Sequence, residues 1–399
     1  MVLDVAAAAV GSVAAADALY LAALSVAALW STEMPPTGNH SARLTVLVPA
    51  YNEADYIKRC VDSLLDQHYP RDRYAIVVIA DNCTDATAGI AAAAGAEVLV
   101  RDQPDARGKG QALRWAMDQV LVRSPAPDAI VVVDADSIAE PELLAGLAAW
   151  LEAGAQAVQG DYQVLAEDES ARSDLRRAAL ILFHRVRFGG RAVLGLPCNL
   201  VGNGMLFSRD LLERHPWDAF TGAEDLEFSI GLRLAGVGPV FAPEARLAGP
   251  VPTGGKALRV QQRRWTGGRF YIVRSQLPKL VSTMVRRRDW SLLDAVVDLA
   301  TPPLGLLAAG ITGGTIVVAA LSVAGVTAPW TIVPWAVALV ALPSFVLVGL
   351  RAADSPASMY RSLAQAPGIV AAQMLGYLPL LKGLHQTSWE RTERPSEAS

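Results

Sequence analysis

Asp134 and Asp136 close the run Asp128-Ala-Ile-Val-Val-Val-Asp-Ala-Asp-Ser137, in which apolar β-branched residues give way abruptly to carboxylates. Side chains two apart on an extended segment point to one side, so this spacing sets two carboxylates together just past the run. Paired carboxylates repel unless a proton or a cation is shared between them, and oxygen donors suit a hard divalent ion, Mg²⁺ or Mn²⁺. An Asp-rich turn holding no ion is the plain alternative. The apolar run is too short for a helix face and suits a strand buried on both sides of a parallel sheet, whose ligands bind at its carboxyl end.

Such a strand needs neighbours to position its carboxylates. Short apolar runs at 44–49, 74–80, 97–100 and 129–133 read as strands with helices between them. Ile57, Cys60, Val61, Leu64 and Leu65 form one helical stripe. The next helix follows Thr84-Asp85, an N-cap pair, and closes at Gly95. A third, over 111–122, buries Leu113, Ala116, Met117, Val120 and Leu121. This alternation predicts an α/β fold with a mostly parallel sheet from 43 to about 165. A nucleotide is its usual ligand. Dinucleotide enzymes carry Gly-x-Gly-x-x-Gly after the first strand; Pro49-Ala-Tyr-Asn-Glu53 stands there instead, which removes that class.

The 399 residues leave room for two or three domains, and a net charge of −4 offers no footprint for nucleic acid. The apolar fraction of 52% is concentrated towards the two ends, which points to a bilayer. Cys60, Cys83 and Cys198 are widely spaced without a Cys-x-x-Cys, so neither a disulfide framework nor a zinc site is implied. Residues 5–30 are apolar apart from Asp17 and long enough for a span of about 20 residues. The lack of Lys or Arg before Arg43 argues for a retained helix over a signal peptide, with the N-terminus outside and the following residues in the cytosol. From 299 to 350 no charge occurs, enough for two further spans with a turn at 325–329. Residues 363–381, interrupted by Gln365, Pro367, Gln373 and Pro379, read as interfacial or re-entrant. Arg172, Arg176, Arg177, Arg185, Arg187 and Arg191 lie among Leu, Ile and Phe, which suits a helix on the cytosolic membrane face.

Taken in order, Pro49-Ala-Tyr-Asn-Glu53, Asp81, Arg107-Gly-Lys-Gly110, Asp134-Ala-Asp136, Gly202-Asn-Gly204, Ala223-Glu-Asp225 and Gln261-Gln-Arg-Arg-Trp265 resemble the family-2 glycosyltransferases. The resemblance covers roughly 43–270 and is strongest to the membrane-embedded branch of hyaluronan, chitin, cellulose and poly-N-acetylglucosamine synthases. It implies a GT-A (Rossmann-like) domain with a UDP-sugar donor. By the same resemblance, Tyr51 and Glu53 line the base and ribose pocket and Asp81 accepts the uracil N–H, although Asn52 or Asp81 could simply cap a helix. Asp134 lies near the ribose and diphosphate, while Asp136 ligates the metal. Lys109, between glycines that let backbone approach a ligand, could neutralise a diphosphate oxygen.

Asp225 is implied as the general base, since an acceptor hydroxyl is a poor nucleophile until its proton has somewhere to go. The family often has threonine at the position of Ala223, which leaves the base intact but removes a neighbouring hydrogen bond. Arg264 offers a planar fork to the diphosphate, and Gln261, Trp265 and Gly204 fall on the acceptor side. The Trp389-Glu-Arg-Thr392 tail resembles the Trp-x-x-Thr ending of cytosolic relatives.

The expected organisation is a transmembrane helix at 1–31, a cytosolic GT-A domain with interfacial helices at 43–275, an interfacial segment at 276–298, two transmembrane helices at 299–351, and an interfacial helix with a cytosolic tail at 352–399. The expected activity is metal-dependent, inverting transfer of a sugar to a growing polysaccharide at the cytosolic face of the cell membrane. One-time transfer to a membrane lipid is the alternative. Three spans are few to enclose a secretion channel, so the polysaccharide reading calls for association of several chains. A sugar-nucleotide sensor without catalysis is disfavoured because it has no need of the base.

Overall fold

The computed structural model describes residues 1–30, 38–165, 170–250 and 255–368, with backbone alone over 255–264. These residues form two compact units. One collects 38–165, 197–250 and 255–283; the other collects 1–30, 170–196 and 284–368.

The first unit is built on an eight-stranded sheet of order β3-β2-β1-β4-β7-β6-β8-β5. The strands are β1 Leu44–Ala50, β2 Tyr74–Asp81, β3 Glu97–Arg101, β4 Ala129–Val132, β5 Ile138–Ala139, β6 Ala157–Val164, β7 Met205–Ser208 and β8 Val240–Gly249. From β3 to β4 all pairings are parallel, as the strand-helix alternation predicts. Beyond β4 the sheet is mixed: β7 is antiparallel to β4 and β6, β8 is parallel to β6, and β5 is antiparallel to β8.

Strand periodicity sorts the buried side chains into two cores. Val46, Val48, Ile76, Val78, Ala129 and Val131 face the helices Ile57–Leu65 and Leu143–Glu152. Leu47, Val77, Ile79, Ile130 and Val132 face the helices Lys109–Val120 and Glu224–Leu234. Each fully buried aliphatic side chain adds roughly 1.5–3 kcal/mol, so both faces hold their helices firmly. The stripe Ile57, Cys60, Val61 and Leu64 is buried as its spacing predicts. The helix expected after Thr84-Asp85 runs from Thr87 to Ala93, and Asp85 Oδ1 accepts the Thr87 N–H at 3.0 Å. The boundary expected at 275 falls inside a single helix, Gly255–Arg287.

The second unit contains three helices long and apolar enough to cross a membrane: Val2–Ala27, Leu304–Val323 and Pro329–Ala352. Small residues let them approach closely. A Cβ at Gly11 would come within 2.5 Å of Trp335 Nε1, and one at Gly314 would overlap the same indole. That indole N–H donates to the Ala7 carbonyl at 3.0 Å. The expected segment 363–381 beyond residue 368, and the Trp389 tail, lie outside the described residues.

The arginine-rich stretch departs from the expectation of a surface helix. Arg187 and Arg191 are 6% and 1% exposed and turn inward onto Asp298 and Asp294. Arg191 also reaches Asp298 at 2.7 Å, and Tyr20 donates to Asp294 at 3.0 Å. Removing one partner of a buried pair strands the other charge. Asp298→Ala should therefore destabilise this unit by about 3–5 kcal/mol. A lowered melting temperature of the purified protein in detergent would show it; an unchanged one would mean that both arginines find other acceptors.

Candidate active site

Ala80 pairs with Ala50, and Val132 with Leu47, so the carboxyl ends of β2, β1 and β4 lie side by side. Asp81 at the end of β2 and the loops carrying Tyr51 with Glu53 and Asp134 with Asp136 therefore share one edge of the sheet, where parallel sheets bind ligands. β7 runs the opposite way and begins at Met205, which pairs with Val132. That reversal delivers Gly202-Asn-Gly204 to the same edge.

The two aspartates do not extend the strand. β4 stops at Val132, and Ser137 N–H donates to Asp134 O at 3.0 Å, closing a turn. The turn still presents both carboxylates, because Ala135 between them is buried while Asp134 and Asp136 are half-buried. Asn203, 1% exposed, pins this turn at two points. Its Oδ1 accepts the Asp134 N–H at 3.0 Å, and its Nδ2 donates to Ser137 Oγ at 2.8 Å. Gln159 in turn donates to the Asn203 carbonyl at 2.8 Å and accepts the Val201 N–H at 2.9 Å. Sequence reasoning quoted Asn203 within its motif but gave it no role, carrying it only between its flanking glycines. Those have φ of +82° and +65°, and a Cβ at Gly204 would press on Leu247.

Lys109 gathers the rest. It opens the helix Lys109–Val120, and its ammonium bonds Asp134 Oδ1 and the Gly202 carbonyl, the latter at 2.5 Å. Asp225 lies in the first turn of Glu224–Leu234, packed on the same face of the sheet. A Cβ on Gly202 would meet Asp225 Oδ2 at 3.1 Å and Lys109 Nζ at 3.5 Å, which sets both groups beside this glycine. Asp134, Lys109, Gly202 and Asp225 thus form one cluster. The two glycines around Lys109 differ in use: Gly108 is open with φ +121°, whereas a Cβ on Gly110 would strike the Ala219 carbonyl. Gly110 therefore serves packing, not ligand approach.

Burial raises the Asp225 carboxyl, neighbouring Glu224 adds to it, and the group is pushed up to about 7. Burial alone would lower the Lys109 ammonium, but Asp134, Glu224 and Asp225 outweigh it and raise it. With Asp225 in its expected role of general base, which must be deprotonated to accept a proton, kcat/KM is expected to climb as pH rises through about 7 and level above. A profile rising near 4 instead would show that Asp225 is not the titrating base.

Asp81 lies at the end of β2 beside Arg101, its cross-strand partner. Arg101, 2% exposed, donates to Asp81 Oδ1 at 2.6 Å, and Asn82 donates to the same oxygen at 2.8 Å. Burial raises the Asp81 carboxyl, opposed by Arg101. Asn52 bonds across to the next loop, its Oδ1 accepting the Thr84 N–H at 2.8 Å, while Glu53 N–H donates to Thr87 at 2.8 Å. Neither Asn52 nor Asp81 caps a helix, and Tyr51 and Glu53 sit in a loop fixed against the one that follows Asp81. Arg101 escaped sequence reasoning because only the β2–β3 register reveals it.

A family model described as glycosyltransferase like family 2 matches residues 42–268. The chain belongs to that family. The Bacillus subtilis (strain 168) protein named "Probable glycosyltransferase YdaM" is 28% identical over 58% of this chain and 56% of its own length. The beta-monoglucosyldiacylglycerol synthase of Synechocystis sp. is 28% identical over 63% of this chain and 54% of its own. The chain thus spans about half the length of these relatives. In fold it is similar to the mannosyltransferase PcManGT from Pyrobaculum calidifontis, solved with GDP-Man and Mn²⁺, at a TM-score of 0.50, 18% identity, and 92% and 99% coverage of the two chains. The fold is GT-A.

Trp265, which the resemblance assigns to an acceptor, is 42% exposed on the helix Gly255–Arg287. One turn on, a Cβ at Gly268 would meet Ala223 Cβ at 2.9 Å, so this helix packs directly beside the segment that leads into Asp225. The close approach explains alanine at 223, where a threonine would crowd the helix. The side chains of Gln261 and Arg264 lie outside the described residues. For a metal, the donor set is oxygen only. Among the described residues no group of three or more His, Cys, Asp or Glu could hold an ion. Two half-buried carboxylates without further protein ligands fit Mg²⁺ or Mn²⁺, which take their remaining ligands from water and substrate phosphates.

Proposed function

We propose that the protein is a glycosyltransferase that moves a sugar from a UDP-sugar to an acceptor hydroxyl at the cytosolic membrane face, with inversion at the anomeric carbon. The observation that carries the reading is the meeting of Asp134 and Asp225 across Lys109 and Gly202: a donor-side carboxylate and a carboxylate near neutrality at one sheet edge. Asp225 takes the acceptor proton as the hydroxyl oxygen bonds the anomeric carbon from the side opposite UDP. The bond from that carbon to the diphosphate breaks in the same displacement, and one displacement inverts the centre. Lys109 and Arg264 offset the charge on the departing diphosphate. An ion held by Asp136 and Asp134 would supply further positive charge there.

Two acceptors are supported. Gln261, Arg264 and Trp265 favour a growing polysaccharide. Transfer to a membrane lipid is favoured by the lipid glucosyltransferase relative together with the three helices apolar enough to cross a bilayer. Incubating membranes that contain the protein with a panel of radiolabelled UDP-sugars separates them: a ladder of products supports the polysaccharide, one lipid-extractable product supports the lipid. No transfer from any UDP-sugar would overturn the proposal.

A further inference from the structure

We infer that Arg101 and Asn82 make Asp81 a reader of one N–H donor, so that the donor site selects a uracil over a guanine nucleotide. The inference rests on the proposed placement of the donor base at Asp81.

A carboxylate oxygen offers two lone-pair sites. On Asp81 Oδ1 both are taken, by Arg101 Nη1 at 2.6 Å and Asn82 Nδ2 at 2.8 Å. Arg101 cannot easily turn away, since its Nη2 donates to the Ala106 carbonyl at 2.7 Å and to Gln103 Oε1 at 3.0 Å. Asn82 is held equally, its Oδ1 accepting the Gln103 N–H at 2.8 Å, with its backbone at φ +51°. The carboxylate is thereby fixed in rotation, and Oδ2 is the oxygen that can take a ligand. Uracil presents one imide N–H between two carbonyl oxygens and matches a single acceptor. Guanine presents a ring N–H beside an amino group, two parallel donors that a carboxylate satisfies only by offering both oxygens. The fold itself does not decide this, since a protein of the same fold was solved with GDP-Man. Arg101 and Asn82 act through Asp81 and are positioning residues.

Calorimetric titration of the purified full-length protein in detergent with UDP and with GDP, both in Mn²⁺, tests the inference. Wild type should favour UDP, by roughly tenfold to a hundredfold if a mispaired base edge costs what it does elsewhere. Arg101→Gln, which lets the carboxylate rotate, should shrink the ratio by raising GDP affinity relative to UDP. Asn82→Gly, which keeps the positive φ and vacates one lone pair, should shrink it less and decides the matter if Arg101→Gln fails to fold. Asp81→Asn should lose UDP affinity. If it does while the folded Arg101 and Asn82 variants keep the wild-type ratio, the inference fails and the base placement stands. If Asp81→Asn binds UDP as wild type does, the placement fails and takes the inference with it. Wild type that binds GDP as tightly as UDP also overturns it.

Discussion

Asp225→Asn is expected to lower kcat by 10²–10⁴-fold, on the order of what a positioned general base contributes, while UDP still binds. The substitution keeps the shape of the side chain and the bond from Leu226 N–H to Oδ1 at 2.7 Å. It removes the one capacity the mechanism requires, acceptance of a proton by a half-buried carboxylate raised to about 7. Lys109 keeps its bonds to Asp134 and the Gly202 carbonyl, so the donor side should be intact. Steady-state turnover with a UDP-sugar, read against calorimetric UDP affinity, separates chemistry from binding. Unchanged turnover would remove Asp225 from the mechanism; joint loss of turnover and UDP binding would make it a structural residue.

Asp136→Ala is expected to reduce turnover by roughly 10²–10³-fold, as removal of one stabiliser of a developing charge does, and to weaken Mn²⁺ binding. Asp136 is half-buried in the turn that Asn203 pins, two residues from the Asp134 carboxylate that Lys109 engages. Truncating it vacates a ligand without disturbing Ala135, which is packed in the core. Mn²⁺ affinity can be followed by electron paramagnetic resonance in the presence of UDP. A chelator should silence wild type, and added Mn²⁺ should restore it. Full activity in chelator, or unaltered Mn²⁺ affinity in the variant, would end the metal assignment.

Much of this was legible in the chain. The runs that became β1 to β4 are short, apolar and bounded by helices with clear stripes, so pattern alone placed them and made them parallel. Asp134 and Asp136 stand just past a strand end, where chemistry accumulates in such sheets, and were found for that reason. Arg187 and Arg191 misled, since arginines among leucines look the same on a lipid-facing helix and on one buried against Asp294 and Asp298.

Residue types and their order thus determined the parallel half of the sheet, the pairing of Asp134 with Asp136 and the apolar helices, because each is a local pattern of period or spacing; Asp81 and Asp225 were singled out only by the family resemblance. Tertiary structure decided what depends on register and reversal. Only the antiparallel entry of β7 beside β4 brings Gly202 and Asn203 to Asp134, and only the β2–β3 register sets Arg101 against Asp81. A hydrogen bond between residues 69 apart, such as that from Asp134 N–H to Asn203, carries no periodic trace in the chain. It exists because burial of two sheet faces fixes strand order first, and the polar groups at the sheet edge then find the partners that order supplies.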